Sequence, residues 1–131
     1  MNEHEQAMVK AFFKPTKRER YRGLLQSLRG RAKLIRELDH LGDLDTRYMV
    51  PIAPCDQSAK SICELLVQRG APEHCYIISS NPDIDGHEMR LHDALRAVVG
   101  HGHGTLISCI PEKCGYYEGE DMECRWILSR E

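Results

Sequence analysis

The last quarter of the chain does most to constrain the fold. Thr105 to Ile110, Tyr116 to Glu118 and Cys124 to Leu128 are three short, largely apolar runs separated by brief polar turns. A parallel pair of strands needs a crossover of roughly a dozen residues, and these connections are shorter than that. The three runs are therefore expected to pair as antiparallel strands. A strand period of two places Cys124, Trp126 and Leu128 on one face, and Arg125 and Ile127 on the other.

Upstream, the period changes. Tyr21, Leu24, Leu25, Leu28, Ala32, Ile35 and Leu38 recur at helical spacing. Pro15 followed by Thr16 and Glu19 fits a capped helix start, and Gly42 fits its stop. Gly23 and Gly30 each weaken a helix by about 1 kcal/mol relative to alanine, which puts any break near Gly30. Residues 1–13 read as a flexible lead-in, and residues 14–131 as one domain.

Tyr48 to Val50 is a short extended piece. Asp56 or Ser58 can cap a second helix carrying Ala59, Ile62, Cys63, Leu65 and Leu66, closed by Gly70 and Pro72. His74 to Ser79 reads as a strand, residues 81–86 as a turn, His87 to Leu91 as an edge-like strand, and Asp93 to Val99 as a third helix. The fold class is α+β: an N-terminal amphipathic helix plus two shorter helices packed on one face of a small, mainly antiparallel sheet.

Composition bears on the cysteines. The 131 residues are 41% hydrophobic and 29% charged, which is ordinary globular usage. No apolar run approaches the roughly 18–20 residues that cross a bilayer. The opening Met1-Asn2-Glu3-His4 is not the basic-then-apolar start of an export signal. The expectation is a cytoplasmic chain with no membrane partner. In a reducing compartment, cysteines at 55, 63, 75, 109, 114 and 124 read as free thiols. No pair is spaced C-x-x-C, so neither a metal nor a cofactor is expected.

The net charge of −2 conceals a division. Residues 10–36 hold ten Lys or Arg and one acid, Glu19, whereas residues 37–131 hold eight basic and seventeen acidic side chains. Either the basic helix lies across its own acidic body, or Arg18, Arg22, Arg29 and Lys33 form a surface for an anionic partner, nucleic acid included.

Two loops carry motif-like residues. Asn81-x-Asp83-x-Asp85-Gly86 begins like a calcium loop, but the twelfth position is His92 where a bidentate carboxylate is required. An Asp-Gly turn between strands explains it better. Gly100-His101-Gly102-His103-Gly104 is the more unusual stretch. Its glycines permit positive φ and close backbone approach. It leaves a helix C-terminus, so the helix dipole opposes a phosphate cradle. The candidate contact residues are His101, Gly102, His103 and Cys109. His103 and Cys109 are expected at opposite ends of one strand, roughly 20 Å apart at 3.3 Å per residue.

No complete catalytic motif is present in the sequence. The expected function is a non-catalytic binding or regulatory module with a protein or small-molecule partner. The alternatives are a small enzyme with a histidine base, with or without Cys109, and nucleic-acid contact through residues 14–36. An amphipathic helix can equally complete a homodimer.

Overall fold

The computed structural model describes residues 2–121 and 124–130. Among them are five α-helices: α1 (Glu3–Phe12), α2 (Arg18–Leu24), α3 (Leu28–Glu37), α4 (Ala59–Gln68) and α5 (Leu91–Val98). The strands are β1 (Met49–Pro51), β2 (His74–Ser79), β3 (Glu88–Arg90), β4 (Thr105–Ile110), β5 (Cys114–Glu118) and β6 (Arg125–Ser129). They form one sheet in the order β1-β6-β5-β4-β2-β3, antiparallel at every pairing. The chain is thus an α+β protein.

Strand register lines up two rows of side chains across the sheet. Ile77 pairs with Ile107, Ile107 with Tyr116, Tyr116 with Ile127, and Ile127 with Val50. This row packs under α4 and α5. One residue along, Ile78, Leu106, Tyr117 and Trp126 pair in sequence and face α1, α2 and α3. Cys124, Trp126 and Leu128 lie on this second side and Ile127 on the first, as strand alternation predicts.

Helices therefore cover both faces, which corrects the expectation of one covered face. The physical reason is visible in the central strands. A half-solvated strand alternates apolar and polar residues, whereas β2 from Cys75, β4 to Cys109 and all of β5 are buried at every position.

The first helical region also differs from expectation. Residues 3–12, read as a flexible lead-in, form α1, whose Met8, Val9, Ala11 and Phe12 are core residues. Asn2 caps it by accepting from the His4 amide at 2.7 Å. The capping box at Thr16 and Glu19 does not form. Pro15–Lys17 is a 3-10 turn, and α2 starts at Arg18 with no side-chain cap. The break in the basic helix falls at residues 25–27, ahead of Gly30, because Ser27 Oγ accepts from the Gly30 amide at 3.0 Å and starts α3. Gly30 serves close packing: a Cβ there would stand 2.2 Å from the Leu24 carbonyl oxygen.

The remaining elements follow their local signals. Ser58 caps α4, and Gly70 beyond its end takes φ +93°. Asn81–Gly86 is the turn joining β2 to β3, with Gly86 at φ +76°.

Candidate functional site

The Gly–His loop leaves α5 and enters β4 with its glycines divided between two tasks. Gly100 and Gly102 take φ +80° and +76°, a region costly for other residues. Gly104 instead lies against the turn at Leu38–His40, where a Cβ would stand 2.2 Å from the Leu38 carbonyl carbon. Two carboxylates fasten the ends. The Gly100 amide donates to Glu118 Oε2 at 2.9 Å, and the Gly104 amide donates to Asp39 Oδ1 at 2.7 Å. Amides already committed to carboxylates are closed to an incoming anion.

The histidines of the loop point the other way. His101 and His103 are exposed, and a ring nitrogen of His101 lies 3.1 Å from the Arg96 carbonyl oxygen. Cys109, the third candidate, is buried between the sheet and the α4–α5 layer. The neighbouring Cys114 thiol, followed by burial, pushes the Cys109 thiol well above its ordinary value. The structure therefore does not bring Cys109 together with His103. One is a protonated core thiol and the other an exposed loop side chain.

None of the six cysteines is joined in a disulfide. Burial pushes Cys75 up to about 12, and Cys114 is buried beside Cys109. Only Cys55 is exposed. Titration of the native protein with a disulfide reagent is expected to consume Cys55 first. Cys75, Cys109 and Cys114 should react only on unfolding; native-state reaction of any of them as fast as Cys55 would contradict the packing. Among the described residues no group of three His, Cys, Asp or Glu side chains is placed to hold a metal ion.

The acidic stretch near the C-terminus, Glu118, Glu120, Asp121 and Glu123, is divided. Glu120 is exposed and pairs with His40 at 2.7 Å. Glu118 is buried, accepts from the Tyr116 hydroxyl at 2.7 Å, and has Arg125 Nε 3.3 Å away. Glu123 lies outside the described residues.

The basic segment separates into committed and uncommitted cations. Arg31 points inward, donating to Glu5 Oε2 at 2.9 Å and to Asp85 Oδ1 at 2.9 Å, where it helps form the core. Arg20 makes two hydrogen bonds to Glu37, whose carboxyl they hold below its usual range. Arg18 donates to the Phe13 carbonyl oxygen at 3.1 Å. These side chains show that the helix does in part pack onto its own acidic body.

Arg29, Lys33 and Arg36 are different. At 100° per residue they fall within about 60° of the circumference of α3, opposite Arg31, Leu34 and Leu38. They line a cleft of about 500 Å³ with Gly23, Leu24, Ser27 and Gly30, and none of these lining residues is acidic. Of the expected cations, the structure brings together Arg29 and Lys33 and adds Arg36. The spacing 29, 33, 36 was available in the sequence to find it. Arg22 opens onto another cleft, beside Glu3, Lys10 and Glu112.

No protein-family model, curated protein or solved structure matches the chain.

Proposed function

We propose that this chain is a non-catalytic binding module and that its contact surface is the cationic cleft between α2 and α3. One observation carries the reading: Arg29, Lys33 and Arg36 converge on one concave surface without an acidic neighbour in its lining. Arg20 and Arg31, on the same helices, are neutralised by carboxylates. Three like charges held together cost self-repulsion, which an anionic partner relieves. The Gly–His loop acts in this reading as a structural clasp behind the sheet. Burial of the Cys109 thiol, held protonated, counts against the form of the small-enzyme alternative that uses it.

Heparin serves as a generic polyanion probe. The chain, despite its net charge of −2, is expected to bind heparin at low salt and to lose affinity steeply as salt rises. A variant reversing Arg29, Lys33 and Arg36 to Glu should lose binding. A control reversing Lys60, Arg90 and Arg96, which changes net charge equally, should retain it. Absence of binding at low salt, or equal loss in both variants, refutes the reading.

A further inference from the structure

A second feature of the same corner points to the kind of anion. Leu28, the first residue of α3, is 90% exposed, the most exposed of the large hydrophobic side chains among the described residues. Ala32, one turn further along, is also exposed. At 100° per residue Leu28 and Ala32 lie on the outward side of α3, directly beside the stripe of Arg36, Arg29 and Lys33. The outward surface is therefore an apolar edge running along a cationic groove. Neither half of it is used by the protein's own core.

Among anionic partners, these two halves together discriminate. A single-stranded nucleic acid is held by aromatic platforms that stack its bases. Here every Phe, Tyr and Trp is buried or half-buried. A duplex backbone would use the cations but leave Leu28 in water. An anionic phospholipid surface uses both: headgroup phosphates and carboxylates meet the cations, and an apolar side chain enters the boundary of the acyl region.

We infer, resting on the binding-module reading above, that the α2–α3 corner docks reversibly on anionic phospholipid surfaces, with Leu28 inserted and Arg29, Lys33 and Arg36 on the headgroups. No helix among the described residues is long and apolar enough to cross a membrane; the surface contact inferred here departs from the sequence expectation of no membrane partner. One leucine and three cations make a weak anchor, and one that depends on both signals. At about 1 kcal/mol per cation near an anionic leaflet, each charge removed lowers affinity roughly fivefold.

The test is co-sedimentation with vesicles of phosphatidylcholine alone and of phosphatidylcholine with about one-third phosphatidylserine. The full chain should sediment with the second and stay in solution with the first. Leu28→Gln, a neutral change on a side chain that contacts little of the protein, should reduce vesicle binding at least tenfold while eluting from heparin as the unaltered chain does. Arg29→Glu with Lys33→Glu should weaken both interactions. Heparin binding without vesicle binding, or vesicle binding indifferent to Leu28→Gln, overturns the lipid assignment and leaves the binding module standing. A short DNA duplex bound in place of the vesicles does the same. Failure on heparin as well as on vesicles removes the underlying reading.

Discussion

Gly104→Ala is expected to destabilise the protein by about 3 kcal/mol or more, although it adds a single methyl group. The new Cβ would stand 2.2 to 2.4 Å from the backbone of Leu38 and Asp39, and backbone cannot swing aside as a long side chain can. Relief requires lifting the loop from the turn beneath it. That movement breaks the Gly104 amide bond to Asp39, an acceptor that also holds the Ser80 hydroxyl at 3.0 Å. The double variant His101→Ala with His103→Ala, in the same loop, should change stability by less than about 0.5 kcal/mol, since both rings are exposed. Urea denaturation midpoints of the two variants decide between a loop whose glycines matter and one whose histidines do. If the histidine variant is the less stable, the description of the loop as a clasp is wrong.

The second large effect concerns Arg31. Its guanidinium, one-fifth exposed, bridges Glu5, which is almost fully buried, and Asp85 in the β2–β3 turn. The Tyr76 hydroxyl also donates to Glu5, and the Ser79 amide donates to Asp85 at 3.0 Å. Arg31→Met leaves two carboxylates without their cation inside the structure. Breaking a buried pair on one side costs about 3–5 kcal/mol, and the remaining exposure here argues for the lower end. Glu5→Gln in the same background should cost less than it does alone, with a coupling of about 1–2 kcal/mol in a double-mutant cycle. A coupling indistinguishable from zero would mean that the bridge does not hold α1, α3 and the turn together.

These two sites show where the sequence was legible and where it was not. The strands and both ends of α4 were readable because their signals are local: alternation in β6, Ser58 ahead of α4, Gly70 behind it. The second helical layer was missed, although the adjacent apolar pairs Ile77-Ile78, Leu106-Ile107 and Tyr116-Tyr117 already imply a sheet covered on both faces. Helix α1 was missed because its opening is polar.

The bridge itself left a trace. Glu5 lies on the stripe of Met8, Val9 and Phe12, and Arg31 on that of Leu34, Ile35 and Leu38. A charge on an apolar stripe must be paired or expelled, and two of opposite sign suggest each other. What no local pattern could supply was the partner of the Gly–His loop. Asp39 is 65 residues from Gly104 in sequence, and the contact exists only once the sheet has brought them together. The cleft was half legible: the periodicity of α3 selects Arg29, Lys33 and Arg36, but only the folded chain shows which other arginines are already spent on carboxylates.

The two margins of the sheet decide how any partner can approach. Each ends in a strand of three residues, β1 containing Pro51 and β3 beginning with Glu88 and ending with Arg90. Proline supplies no ladder amide, and charged, abbreviated margins resist being extended by a foreign strand. Short margins of this kind disfavour both recruitment by strand addition and the open-ended stacking of copies through their sheets.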